Sequence, residues 1–285
     1  MTNMRRRFSI GNQGVNYMAI EALEDGLSVT VNYPGSAIPK IEYSTDGVNW
    51  INIEIGVETA TINCGEKLLF KGNYSGTIAS YATFSISKKC NLKGDIRTLW
   101  YGDDARFYNL ARYSYGLFKD CTTIQHVDNS FLPAVKLVDQ CYSYMFAGCT
   151  GLITAPKLPA TTLTRDCYSY MFWGCVSLTT APELPATTLA DFCYSRMFRD
   201  CISLTTAPEL PATTLVTYCY DSMFNGCKNL NYIKAMFTTN PLSVYSTSDW
   251  VEGVASSGTF VKNKNATWDE TGVNGIPSGW TVQNA

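Results

Sequence analysis

CYSYMFAGCTGLITAPKLPATTL (residues 141–163), CYSYMFWGCVSLTTAPELPATTL (167–189) and CYSRMFRDCISLTTAPELPATTL (193–215) repeat one pattern three times. A fourth version opens CYDSMFNGC at Cys219. The Leu-Pro-Ala steps at Leu132, Leu158, Leu184 and Leu210 set a constant period of 26 residues. Four copies fill 132–235, and a weaker one precedes them, in which Leu117, Phe118 and Cys121 match Met145, Phe146 and Cys149 at a separation of 28. Self-similarity at such a period marks a repeat architecture. A single unit cannot bury its apolar face alone, so copies stack.

Columns that do not vary between copies are read as interior. They are Cys141/Cys167/Cys193/Cys219, the tyrosine after each, Met145/Met171/Met197/Met223, the phenylalanine after each, and Cys149/Cys175/Cys201/Cys227. Their relative spacing of 0, 1, 4, 5 and 8 is an apolar stripe of helical period and predicts a short amphipathic helix from about Val138 to Gly148. The leucine and β-branched run SLTTAP, stopped at Pro156, Pro182 and Pro208, predicts a short strand stacking in parallel on its neighbours. The expected fold is therefore an α/β solenoid, a leucine-rich repeat of 26-residue strand-plus-helix units.

Two cysteines eight residues apart on a helix would sit roughly 12 Å apart, too far for a disulfide. Bridges between equivalent cysteines of stacked repeats are geometrically conceivable, but the total of 11 is odd and the expected compartment is reducing. Zinc-type spacing of two to four residues is missing from the repeats. The cysteines are read as buried free thiols acting as small hydrophobes.

Residues 1–95 lack the period. Segments LSVTVNY from Leu27, KIEYS from Lys40, WINIEI from Trp50 and KLLFKG from Lys67 read as strands of a small all-β sandwich, with STDGVNW (44–50) as an Asp-Gly hairpin turn. Residues 96–236 are assigned to the repeats. Residues 237–285, which mix Gly, Asn and Trp with a few apolar runs, are assigned to an irregular C-terminal cap.

A net charge of −2 leaves no broad basic surface for nucleic acid, and the cluster Arg5–Arg7 is too short to supply one. No apolar run is long enough to span a bilayer, and the polar stretch after Arg7 is not a secretory signal, so the chain is expected to be made in a cytoplasm without membrane insertion. Catalytic motifs are sparse. His126 is the only histidine and lies in an irregular loop with Asp128; phosphate-loop patterns do not occur. Asp103 with Asp104, and Asp269 with Glu270, lack the alternating oxygen ligands of a calcium loop and read as solvated turn carboxylates. The chain is read as non-enzymatic, with no metal and no cofactor.

The columns that do vary lie on the opposite side of the predicted helix: Gln140/Asp166/Phe192/Tyr218, Tyr144/Tyr170/Arg196/Ser222 and Ala147/Trp173/Arg199/Asn225. They offer Tyr144, Trp173, Phe192, Arg196, Arg199 and Tyr218, residue types enriched at interface hot spots, as the candidate ligand-binding surface. Trp173 and Arg199 share a column and should meet in adjacent repeats.

The motif MFxGCxSLTTAPELPATTL closely resembles the BspA-like leucine-rich repeats of gut and oral bacteria and of their tailed phages, from about Leu117 to Met236. The flanks EALEDG, IEYSTDGVNW, GEKLLFKGN and SSGTFVKNKNATWDETGVNGIPSGWTV also resemble segments that accompany such repeats. The resemblance implies binding or adhesion without catalysis. Bacterial surface members carry an export signal, whereas a phage protein needs none. The expectation is thus a virion component, a tail or head appendage made in the host cytoplasm, with a bacterial cell-surface or secreted adhesin as the alternative and a carbohydrate-active enzyme as a remote one. Expected partners are a bacterial surface polysaccharide or protein, other virion proteins and a second copy of the chain.

Overall fold

The computed structural model describes residues 15–34, 40–73, 82–108 and 114–285; Arg5–Arg7 lie outside them. The N-terminal strands are β1 (Met18–Ala22), β2 (Val29–Asn32), β3 (Ile41–Ser44), β4 (Ile51–Asn52), β5 (Lys67–Gly72), β6 (Thr83–Ile86) and β7 (Cys90–Lys93). A helix of four residues, α1 (Thr98–Tyr101), follows, then β8 (Ile124–Val127), and late in the chain β9 (Tyr232–Ala235), β10 (Thr259–Lys262) and β11 (Thr281–Asn284). One sheet has the order β4-β3-β5-β1-β7-β8, a second pairs β2 with β6, and a third is β11-β10-β9. β1 is antiparallel to both β5 and β7, while β7 and β8 run parallel, so the first sheet continues into the repeats.

Four predicted strands appear as β2 to β5. The turn between β3 and β4 is held by Asp46, whose Oδ1 accepts the N–H groups of Val48 (2.8 Å) and Asn49 (2.7 Å), with Gly47 at φ 72°. These bonds to the carboxylate hold its pKa well below the usual range.

The expected strand-plus-helix solenoid is overturned. Among the described residues α1 is the only α-helix, and it lies outside the repeats; the fold is predominantly β with turns. The segment 138–149 is a chain of consecutive β-turns. A helix would send each N–H to the carbonyl four residues back. Here Cys141 N–H bonds Val138 O and Met145 N–H bonds Tyr142 O, each at 3.2 Å and three residues back. The alternate groups leave the segment altogether, Tyr142 N–H donating to Cys167 O and Phe146 N–H to Met171 O, each at 3.0 Å.

Every fourth residue takes a left-handed conformation: Gln140 (φ 59°), Tyr144 (φ 58°) and Gly148 (φ 73°) in one layer, Asp166, Tyr170 and Gly174 in the next. For a residue with a Cβ this costs about 1 kcal/mol. The hydrogen bond returned to the neighbouring layer, about 1 kcal/mol net, offsets it. The true period is four. Over eight residues it places the same side chains inward as a period of 3.6, which is why the spacing read as a helix. The predicted SLTTAP strands contract to single parallel bridges, His126 to Thr154 to Thr180 and Thr206 to Tyr232.

Each layer buries its cysteines, tyrosine, methionine and phenylalanine together with Leu152 and Leu158 or their equivalents; Leu163 and Leu215 are buried too, and their equivalent Leu189 is half-buried. Two aromatic spines run through the stack. Phe118, Phe146, Phe172 and Phe198 lie parallel at 5.7 Å, with Phe84 of β6 before them at 5.4 Å and Phe224 after them at 5.9 Å. Tyr142, Tyr168, Tyr194 and Tyr220 repeat at 5.9 Å. Both spines reach the fully buried Trp250, 6.1 Å from Phe224 and 6.4 Å from Tyr220. Each stacked pair adds about 0.5–1.5 kcal/mol to the burial of its rings. At the C-terminal end three indole N–H groups bond backbone carbonyls: Trp250 to Gly275, Trp268 to Phe237 and Trp280 to Ala255.

Candidate functional site

The turn chain sorts side chains. Of the six predicted site residues, Tyr144, Phe192, Arg196 and Tyr218 occupy left-handed positions of the turn chain and Trp173 and Arg199 each stand one residue before such a position, so all six lie on the columns that vary between layers and none is fully buried. Most of their surface is already engaged within the face.

Two ladders of rings climb it. In the first, Tyr144 lies 5.1 Å from Tyr115 and stacks on Tyr170 at 4.3 Å; the Arg196 guanidinium then sits 5.2 Å above Tyr170 and donates to its hydroxyl. In the second, Arg165 lies 5.2 Å from Phe192, which stacks on Tyr218 at 4.9 Å, and Tyr218 stacks on Tyr245 at 5.6 Å. Each capping arginine also meets a carboxylate: Arg196 Nη2 is 3.3 Å from Asp221 Oδ2, and Arg165 Nε is 3.4 Å from Asp166 Oδ2. Burial pushes the Tyr144 phenol up, and its hydrogen bond to Tyr170 adds to the shift.

No family model, no curated protein and no solved structure matches the chain. The functional reading therefore rests on the geometry of this face and on the sequence motif.

Beside the first ladder, Trp173 is 37% exposed and stands edge-on to Tyr170 at 5.8 Å. Its Nε1 donates to Asp200 Oδ2 at 3.1 Å, and Arg199 Nε lies 3.7 Å from the same oxygen. Trp173 and Arg199 do meet in adjacent layers, joined through a carboxylate the sequence did not single out. Arg196 has a different role: it neutralises Asp221, a buried acid that replaces Ser143, Ser169 and Ser195 of the other layers and accepts from Ser195 Oγ at 3.0 Å.

Sequence reasoning missed Tyr115, Arg165 and Tyr245 as parts of the face, and it placed Tyr170 there without naming it among the candidate binding residues. Tyr170 shares the column of Tyr144. Tyr245 follows Tyr218 by 27 residues rather than 26, and that single insertion hides it from a fixed period.

Most of the remaining thiols are held in unreactive settings. All eleven cysteines are free and ten are buried, with Cys64 exposed. Cys149, Cys175 and Cys201 each donate through Sγ to the carbonyl of a phenylalanine in the preceding layer, at 3.1 Å. Burial pushes the thiols of Cys167, Cys219 and Cys227 up to about 12, so they stay neutral and poorly nucleophilic. His126 Nδ1 lies 2.9 Å from Thr154 Oγ1 on the exposed bridge column. Asp103 accepts from Tyr17 at 2.6 Å and pairs with Lys71 at 3.5 Å, and Glu270 accepts from Asn240. Among the described residues no group of three His, Cys, Asp or Glu side chains could hold a metal ion, and no helix is long and apolar enough to cross a membrane.

Proposed function

We propose that the chain is a non-catalytic binding protein, a structural component of a phage virion in the form of a tail or head appendage, which presents its turn face to the bacterial envelope. The observation that carries this reading is the sorting within each turn segment: the sulfur and aromatic side chains common to all layers are buried, whereas Tyr144, Trp173, Phe192, Arg199 and Tyr218, which differ between layers, share one partly exposed face. A face that changes from layer to layer over a fixed frame suits recognition of a surface polysaccharide or protein. Because the rings stack on one another, they offer edges and hydroxyls rather than open faces, and Trp173 and Arg199 are the side chains best placed for contact. The virion assignment is supported by the BspA-like motif.

Mass spectrometry of two fractions of a producing culture, density-purified phage particles and washed cell envelopes, tests it. Several copies per particle are expected. Recovery in envelopes alone would replace the virion component with a bacterial surface adhesin.

A further inference from the structure

Three ends of the two ladders lie wholly among residues whose partners are described, and two of them carry the same arrangement. The first ladder ends as Tyr170, Arg196 and Asp221: ring, guanidinium, carboxylate. The second begins as Phe192, Arg165 and Asp166, again ring, guanidinium and carboxylate. The far end of the second ladder departs from this. Tyr245 stacks on Tyr218 through one face and is 66% exposed, and among the described residues no ring or cation covers its other face.

A carboxylate is nonetheless in place. Asp249 occupies the next left-handed position of the same layer, four residues on (φ 50°), is exposed, and forms no ion pair among the described residues. Leu242 (52%) and Val244 (48%), beside Tyr245 in the chain, are exposed as well. The backbone here is strained. Val244 at φ 51° and Tyr245 at φ 56° are consecutive left-handed residues, and for β-branched Val244 this conformation is unusual.

We infer that the open end of the second ladder, formed by Tyr245, Asp249, Leu242 and Val244, is a seat for an arginine side chain of another protein. A planar guanidinium over the free face of Tyr245, paired with Asp249, would complete the ring, cation and carboxylate arrangement that the chain builds for itself at the two other ends. The apolar rim matches a residue with a hydrophobic neighbour. Lysine fits less well, because an ammonium is a hydrated point charge that does not stack. The inference does not depend on the virion reading, since any partner presenting an exposed arginine beside an apolar side chain would fit.

The test is a methyl NMR titration of the full chain labelled at leucine and valine methyls, with N-acetyl-arginine amide, N-acetyl-lysine amide and methyl pyranosides as probes. Saturable shifts of Leu242 and Val244 with the arginine amide are expected, with a Kd on the order of millimolar for so small a probe and at least about threefold weaker binding of the lysine amide. Tyr245→Ala should abolish the shifts, Tyr245→Phe should retain them, and Asp249→Asn should weaken them. Absence of shifts at those methyls, equal binding of lysine, or preferential binding of the pyranosides would each overturn the assignment, the last by making the platform a sugar site.

Discussion

A Cβ built on Gly226 would stand 2.2 Å from Oδ1 of Asp200, the residue at the equivalent position of the preceding layer. The same relation joins Gly148 to Asp120 at 2.1 Å, whereas a Cβ on Gly174 meets nothing closer than the backbone of Gly148 at 3.9 Å. In this column an aspartate is therefore followed by a glycine one layer on. All these positions are left-handed, so Gly174→Ala should cost about 1 kcal/mol. Gly226→Ala must in addition displace the Asp200 carboxylate from Trp173 and should cost about 2–3 kcal/mol. Adding Asp200→Gly should return the Gly226→Ala chain to the Gly174→Ala level. Urea unfolding midpoints of the three chains decide it; equal losses for the two single substitutions would show that the layers are not in this register.

Arg196 makes a comparable test of charge. Its guanidinium is about one-third exposed, but Asp221 beneath it is 9% exposed, so removing the arginine leaves an acid nearly buried without its counter-ion. Arg196→Ala should cost about 2 kcal/mol. Three other layers hold serine at the position of Asp221, bonded in the same column, as Ser143 Oγ is to Ser169 O at 3.1 Å. Arg196→Ala with Asp221→Ser should recover most of the loss. A double variant no more stable than the single one would mean that Arg196 acts through its stacking on Tyr170 alone.

The interior of the repeats was legible in the sequence because invariance among copies identifies packed positions whatever the backbone does. Cys141, Tyr142, Met145, Phe146 and Cys149 are all buried. The backbone was not legible. Spacing over eight residues does not separate a four-residue turn chain from a helix, and the left-handed positions are filled by Gln140, Tyr144, Phe192 and Arg196 as readily as by glycine. One local signal pointed the right way: cysteine, tyrosine, serine and phenylalanine dominate the segment and are weak helix formers. On the face, residue types were found and their partners were not. Asp200, Asp221 and Tyr245 act across layers, and the relation between layers enters only with the hydrogen-bond register.

The buried thiols make stability depend on alkaline pH. Those of Cys167, Cys219 and Cys227 are pushed up to about 12 by burial, against about 8.5 in an unfolded chain. A group whose pKa is raised on folding contributes its stability in full below the unfolded value and loses it as pH rises toward the folded one. For each thiol the loss approaches about 1.4 kcal/mol per pH unit within that window, and several thiols act together. The urea midpoint should be flat from about pH 6 to 8 and fall steeply above about pH 9. A midpoint unchanged at pH 10 would contradict neutral, buried thiols. Thiol titration of the native chain at neutral pH should find Cys64 reacting rapidly and the ten buried cysteines only after unfolding.

Trp173 and Arg199 separate recognition from folding. Both reach Asp200 from the surface, and Asp200 is itself half-exposed, so their removal leaves the carboxylate to water and not to a buried void. Trp173→Ala with Arg199→Ala should change stability by no more than about 1 kcal/mol. If this face binds the host, attachment of the purified chain to target cells should fall about tenfold, as expected when aromatic and arginine anchors are truncated. The Arg196→Ala, Asp221→Ser chain is the control, because it alters the support of the same face while leaving Trp173 and Arg199 in place. Weakened attachment in the first variant and unchanged attachment in the control would locate recognition at Trp173 and Arg199. Full attachment by a folded Trp173→Ala, Arg199→Ala chain would remove these two residues from the binding surface.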